Sequence, residues 1–141
     1  MKISQTAIDA SFMLKLFLPE EHSDKVHELW SSWIEDSVEV VAPTLIMFES
    51  ASVIRNKLHR KLLNKKDAAE IIKRMKRMDM TLVYTDELLE SAWEIGQHLE
   101  LPTLYDCFYL ALAQLLNAPL WTADEKLYRT SRNLKLGVNL L

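Results

Sequence analysis

The alternation of short apolar segments with longer helical segments is the feature that most restricts how this chain can fold. Segments of about four to six apolar or β-branched residues predict buried strands. These strands are predicted over residues 3–8, 38–41, 81–84 and 119–122, with a further strand over 135–140. Helices are predicted over about 10–18, 20–36, 43–62, 65–77, 86–99, 103–117 and 123–131. The alternation implies crossover connections, and therefore an α/β fold with a mainly parallel sheet between two helical layers.

The composition limits the size and setting of this fold. With 141 residues, of which 49% are apolar, the chain holds enough apolar material for one core, so we expect a single domain over 1–141. The lone Cys107 cannot form an internal disulfide and has no metal-type spacing to other Cys or His residues. No apolar run approaches the roughly 18 residues that a membrane span needs. We therefore expect a cytoplasmic protein without a membrane anchor or signal peptide.

Charge is distributed very unevenly along the chain. The formal net charge is −3, which taken alone disfavours a nucleic-acid partner. Residues 55–77, however, contain ten Lys or Arg and two acids, a local charge of +8 that leaves −11 for the remainder. Such a cluster is suited to binding the phosphate backbone of a nucleic acid. Within it, Arg55 and Arg60 lie nearest the predicted helix that carries Glu49, and they are the predicted RNA-binding residues. A solvated helical face or a docking surface for a protein partner explains the same charges.

Three of the four acids singled out by the sequence lie where strands end or helices begin. Asp9 follows the first strand, Asp124 follows the fourth, and Asp106 opens a largely apolar helix. Each also has a structural explanation, because Asp is a good N-cap and a Thr-x-x-Asp or Thr-x-x-Glu capping box is available at the last two. In parallel sheets, however, ligands bind beyond the carboxyl ends of the strands. The sequence therefore predicts that these carboxylates meet at one edge.

Glu49 is the fourth acid, and it lies within a predicted helix. It aligns at i±4 with Leu45 and Val53, so we expect it to point inward rather than into solvent. An unpaired buried carboxylate costs several kcal/mol or becomes protonated, and so it needs a cation, a donor or an open cleft. A plain surface acid is the alternative explanation.

Four converging carboxylates predict a divalent cation. Oxygen ligands alone suit Mg²⁺ or Mn²⁺, which bind through a few carboxylates, water and substrate phosphate. Such ions activate water and neutralise the charge that develops in phosphodiester hydrolysis, so no protein nucleophile is needed.

Four stretches, spread over nearly the whole chain, contain these acids. They are Ile8–Ser11 with Leu18–Glu21, Pro43–Glu49, Tyr105–Ala113 and Trp121–Leu127. In these stretches and their order the chain resembles the PIN-domain family, and within it the VapC-type toxin ribonucleases of toxin-antitoxin pairs. The resemblance implies a three-layer α/β/α fold, a Mg²⁺-dependent site and cleavage of RNA.

Site residues carried over from this resemblance are the same four acids. Asp9 and Asp106 correspond to the principal metal ligands, with Glu49 and Asp124 completing the pocket in part through water. At the family's hydroxyl positions, Ser11 and Thr122 orient acids or bound water. The resemblance also implies a cognate antitoxin as partner and a homodimer.

Two other functional classes remain open at this stage. One is a catalytically inactive or receiver-like module that uses the acids for metal or partner binding. A receiver has paired acids after its first strand and a Lys after its last, and neither pattern is evident here. The other is a flap-type DNA nuclease, which DNA substrates would distinguish.

Overall fold

A computed structural model describes residues 4–141, and its centre is a five-stranded sheet. The strands are β1 (Gln5–Ile8), β2 (Glu39–Pro43), β3 (Thr81–Val83), β4 (Leu120–Thr122) and β5 (Val138–Leu140). They lie in the order β3-β2-β1-β4-β5, and every neighbouring pair is parallel. This arrangement confirms the predicted α/β fold with a parallel central sheet.

Seven helices in the described part of the chain connect these strands. They are α1 (Ala10–Leu14), α2 (Ser23–Glu35), α3 (Leu45–His59), α4 (Lys65–Met75), α5 (Asp86–His98), α6 (Tyr105–Leu116) and α7 (Glu125–Ser131). Right-handed crossovers in this strand order place α1 to α4 on one face and α5 to α7 on the other. The packing agrees, because α3 contacts both α1 and α4 whereas α5 contacts α6. None of these helices is long and apolar enough to cross a membrane.

The strand order reverses at β1, the central strand. From β1 the chain moves to β2 and β3 on one side, and then crosses back to β4 and β5 on the other. Residues 6–8 of β1 are fully buried, as a strand covered by helices on both faces requires. In parallel sheets such a reversal marks the ligand-binding edge, here the carboxyl edge between β1 and β4, and this edge is called the crevice below.

Several predicted boundaries differ from the structure. Residue 3 of the predicted first strand lies outside the described residues. The apolar helix predicted over 10–18 is α-helical only to Leu14, because the next residues form tighter i→i+3 hydrogen bonds before Pro19, which cannot continue a helix. Pro43 ends β2 instead of opening α3. The pairing with β3 continues past the proline, because the backbone N–H of Thr44 bonds Val83 O.

An aromatic cluster joins the first helical layer to the sheet. The ring of Phe12 in α1 stacks on Trp33 in α2 at 5.4 Å between centroids, and Trp33 in turn lies 6.4 Å from Trp121 in β4. Phe12 is fully buried. The cluster therefore fixes α1, and with it the start of the crevice, against the central strands.

Replacing Phe12 should test how far this cluster supports the fold. We expect Phe12→Ala to lower the free energy of unfolding by about 3–5 kcal/mol, because it removes a buried ring and leaves a cavity. The exposed Ile34→Ala, on the same helical layer, should change it by less than about 0.5 kcal/mol. Urea denaturation measures both values, and equal losses in the two variants would contradict the assignment of Phe12 to the core.

Candidate active site

The structure brings the four predicted acids to the carboxyl edge of the sheet. Asp9 and Asp124 directly follow the adjacent strands β1 and β4, while Asp106 lies in the first turn of α6. Charge repulsion couples Asp124 to both Asp9 and Asp106, and couples Asp106 to Glu49. The acids thus form one electrostatically connected group that spans the crevice.

Asp9 is the most deeply buried of these carboxylates, with 4% of its surface exposed. It caps α1, since its Oδ1 accepts a hydrogen bond of 2.9 Å from the backbone N–H of Phe12. Ser11 Oγ donates to the same oxygen at 2.7 Å, and Thr122 Oγ1 donates to Oδ2 at 2.5 Å. Burial nevertheless raises the pKa of Asp9 to about 6, because these bonds only partly offset the loss of water and the nearby charge of Asp124 raises it further.

Ser11 and Thr122, the two predicted hydroxyl residues, connect the start of α1 to the end of β4. Ser11 Oγ accepts from the backbone N–H of Ala123 at 2.9 Å, and Thr122 Oγ1 accepts from that of Asp124 at 2.9 Å. The two hydroxyl oxygens lie 3.2 Å apart. Each hydroxyl therefore donates to Asp9 and accepts from the loop after β4, which fixes Asp9 relative to Asp124.

Asp124 is both the N-cap of α7 and a member of the acidic group. Its Oδ1 accepts from the backbone N–H groups of Lys126 and Leu127 at 2.9 and 3.3 Å. The alternative capping box from Thr122 to Glu125 does not form, because Thr122 belongs to the strand. Only Oδ1 is used in capping, and Oδ2 receives no hydrogen bond from a described residue.

Asp106 does not form the capping box that the sequence allowed. The N-cap position of α6 is Leu104, and no side chain caps this helix, so the Thr103 capping box is absent. Asp106 is half-buried, and burial raises its pKa, with a further increase from Asp124 and an opposing effect of Lys126. A carboxylate without a capping role at a ligand-binding edge favours the functional explanation.

Glu49 differs from its predicted environment. The core-facing side of α3 carries Ile46, Ser50 and Ile54, whereas Glu49 is half-buried and the aligned Val53 is exposed. Its position is therefore the rim of the crevice and not the core. Burial raises the pKa of Glu49, nearby Asp106 raises it further, and a hydrogen bond from Tyr109 lowers it.

The side chain that sequence reasoning missed is Tyr109, whose hydroxyl donates to Glu49 Oε1 at 2.5 Å. Tyr109 follows Asp106 by three residues on α6, so both lie on the same helical face. That i+3 spacing was a readable signal, but Tyr109 stands in an apolar run that otherwise indicates a buried helix. Its partner could not be read from the sequence, because Glu49 lies 60 residues away.

The donor chemistry of the group fits a hard divalent cation. All acceptors are carboxylate oxygens, and the raised pKa values of Asp9, Glu49 and Asp106 reflect burial and mutual repulsion without a compensating ion pair among the described residues. Within residues 4–141, however, no three acidic, His or Cys side chains converge closely enough to form a ready metal cluster. The carboxylates therefore fit a divalent cation in ligand type and in charge, and water molecules would complete its coordination.

The two predicted RNA-binding arginines lie apart from the acids. Arg55 and Arg60 are exposed, and they follow Glu49 by about 9 and 16 Å along the helix direction. Arg55 lines a groove of about 620 Å³ at the turn between α3 and α4, together with Lys61 and Lys65. No described acid forms an ion pair with these side chains.

A known family model matches most of this chain. The family model described as PIN domain matches residues 6–133. The chain belongs to the PIN-domain family. This membership confirms the resemblance inferred from the four sequence stretches.

Two relatives within the PIN-domain family are ribonucleases of the VapC type. A VapC ribonuclease of Mycobacterium bovis and ribonuclease VapC9 of Mycobacterium tuberculosis are each 34% identical to the chain over 90 residues. The matched region covers 64% of this chain and 68% of each relative. These relatives confirm the prediction of a PIN-domain ribonuclease of the VapC type.

Solved structures share the fold at low sequence identity. VapBC2 from Rickettsia felis, determined bound to a DNA fragment from its promoter, has a TM-score of 0.72 at 13% identity and covers 97% of this chain and 98% of its own. FitAcB from Neisseria gonorrhoeae has a TM-score of 0.70 at 14% identity, covering 94% and 95%. Both share the fold of this chain over nearly all of its length.

The raised pKa of Asp9 predicts a pH-dependent stability difference. The folded state binds this proton more tightly than the unfolded state, so stability is lost as pH rises from about 4 through about 6. We expect Asp9→Asn, which retains a good N-cap, to be more stable than the wild type above pH 6 by roughly 1–3 kcal/mol. Urea denaturation in EDTA at pH 4–7.5 measures this, and a wild type that gains stability relative to the variant over that range would refute it.

Proposed function

We propose that this protein is the toxin of a VapBC-type pair, a metal-dependent endoribonuclease that hydrolyses RNA phosphodiester bonds. The observation that carries the proposal is the convergence of Asp9, Glu49, Asp106 and Asp124 at the crevice of a PIN domain. The VapC ribonucleases to which the chain is similar support the same activity. The cytoplasm, where RNA is made and used, is the compartment in which it acts.

The acids divide into two pairs in this proposal. Asp9 and Asp106 are the principal ligands of Mg²⁺, with Mn²⁺ as a substitute, and Glu49 and Asp124 complete the site in part through water. When bound, such an ion supplies an activated water and neutralises charge on the phosphate. The lone pairs required are present, because each ionised carboxylate offers about four and the hydrogen bonds use only some of them.

Ser11 and Thr122 orient the principal ligand in this scheme. By donating to opposite oxygens of Asp9 they fix the plane of its carboxylate and favour its ionised form against burial. Since both hydroxyls also accept from the loop that carries Asp124, they set the spacing of two acids at once.

The basic stretch supplies affinity for the RNA backbone. Arg55 and Arg60 begin a surface that continues through the α3–α4 turn, and its unpaired positive charges suit phosphates spaced along a strand. RNA that reaches the acidic crevice from this side passes along α3, which carries Glu49 in its second turn and is followed by Arg60 as its C-cap residue.

Two protein partners follow from the toxin assignment. Structural neighbours include toxin-antitoxin complexes from Klebsiella pneumoniae and Rickettsia felis, which supports a cognate antitoxin for this chain. A homodimer is the second partner that we propose. The antitoxin would restrain an activity that is otherwise harmful to the cell.

Removing a principal ligand tests the catalytic assignment. We expect Asp106→Asn to lower cleavage of a panel of structured RNAs by roughly 100-fold or more, because metal contacts contribute several kcal/mol to the transition state. Product formation in Mg²⁺ and in EDTA is measured on gels for both proteins. The matched control is Glu94→Gln, an exposed carboxylate on α5 that should leave the rate unchanged.

The outcomes separate the candidate functions. Metal-dependent cleavage of RNA by the wild type, lost in the variant, supports the proposal. Cleavage of DNA alone would assign a DNA nuclease, and absence of cleavage of either polymer would favour an inactive binding module. Full activity of Asp106→Asn would remove this residue from the site.

The basic surface has a test of its own. We expect Arg55→Ala combined with Arg60→Ala to weaken RNA binding and to reduce the slope of log affinity against log salt by about 0.7 per lost contact. Filter binding from 50 to 300 mM salt measures this, with Arg132→Ala outside the basic stretch as control. An unchanged slope would show that the surface does not contact RNA and would leave antitoxin docking or a solvated helical face as its explanation.

A further inference from the structure

The buried hydroxyl of Tyr109 lies among the acids of the site. Tyr109 is 3% exposed, and its hydroxyl donates to Glu49 Oε1 at 2.5 Å. Its environment also includes the charges of Asp9 and Asp106. A tyrosine in an apolar helix thus bonds one of the four carboxylates and lies within the electrostatic influence of two others, although the sequence analysis did not identify it as a site residue.

The contact connects the two helical layers across the end of the sheet. Glu49 belongs to α3 on one face, and Tyr109 belongs to α6, which packs against β1 and β2 from the other. One turn before Tyr109, the same helix carries Asp106. The rigid helix therefore fixes at once an acid of the site and the donor that holds a second acid.

Tyr109 acts here as a neutral donor. Burial and the nearby carboxylates raise the pKa of its hydroxyl far above the ordinary value, so the proton stays on the oxygen in the physiological range. The group therefore neither shuttles protons nor adds charge. What it supplies is a fixed direction for Glu49, whose Oε2 receives no hydrogen bond from a described residue.

We propose that Tyr109 is a positioning residue that holds Glu49 Oε1 on the α6 side of the crevice, so that Oε2 is presented towards Asp106 for the divalent cation or its water. The inference rests on the proposed function, because it concerns the same metal site. Without the hydroxyl, Glu49 on the rim is free to turn into solvent. Donors that orient ligands in this way typically affect metal affinity by 10–100-fold.

The test is Mn²⁺ binding by isothermal titration calorimetry, without RNA. We expect Tyr109→Phe to raise the dissociation constant by 10–100-fold, since it removes only the hydroxyl. Tyr128→Phe on α7, outside the acidic group, is the matched control and should bind as the wild type does. The melting temperatures of the metal-free proteins in EDTA identify any loss that comes from the fold alone.

A double variant shows whether Tyr109 works through Glu49. If it does, Tyr109→Phe combined with Glu49→Gln should bind Mn²⁺ no more weakly than Glu49→Gln does, because the hydroxyl has no carboxylate left to position. In RNA cleavage, excess Mn²⁺ should restore the rate of Tyr109→Phe to within about threefold of the wild type. A purely structural loss would not be restored by metal.

A second variant serves if Tyr109→Phe does not fold. Glu49→Asp keeps the charge but shortens the side chain, which withdraws the carboxylate from the hydroxyl, and it should weaken Mn²⁺ binding as well. Wild-type affinity in either Tyr109→Phe or Glu49→Asp would overturn the inference while leaving the metal site in place. If the wild type and Asp106→Asn bind Mn²⁺ equally, the proposed function itself fails.

Discussion

The burial of one carboxylate at the junction of β1 and β4 is the constraint on which the rest of this structure depends. Asp9 ends the central strand where the strand order reverses, and it is almost inaccessible to water. Three donors, from Ser11, Phe12 and Thr122, satisfy it. One of them starts α1 and another belongs to β4, so the side chain that prepares the site also fixes the first helix to the sheet.

The sequence predicted the layout of the fold because burial leaves a direct pattern. Parallel strands covered on both faces are usually short apolar runs, and β2 has that composition, whereas β1 includes Gln5 and Thr6 and shows the pattern only weakly. Local boundaries were less accurate where two rules compete. Pro43 satisfies the rule for a first helical turn, but a proline also fits the last residue of a strand whose next donor is Thr44.

The acidic group was predictable as a set and less so residue by residue. Asp9 and Asp124 are true N-caps, so their structural explanation is correct without excluding a second role. Asp106 caps no helix, and the functional interpretation of all four acids depends on their position at one edge of the sheet. The half-buried position of Glu49 and its contact with Tyr109 depend on how α3 and α6 meet over the sheet. Helical periodicity within one segment does not predict how two helices pack against each other.

The energetics of these acids link the site to the stability of the domain. Carboxylates that are buried near one another favour their protonated forms, and at neutral pH their ionisation costs free energy that the hydrogen bonds only partly offset. Within the described residues these acids do not form a ready metal cluster. A divalent cation reverses the sign of these interactions, because each carboxylate is then attracted to the centre and no longer repelled by its neighbours. Binding therefore stabilises the folded state by a free energy that grows with the logarithm of the ligand concentration over the dissociation constant. Residues that hold the acids in place without adding charge, such as Thr122 and Tyr109, lower the cost of assembling the site and leave its charge for the cation.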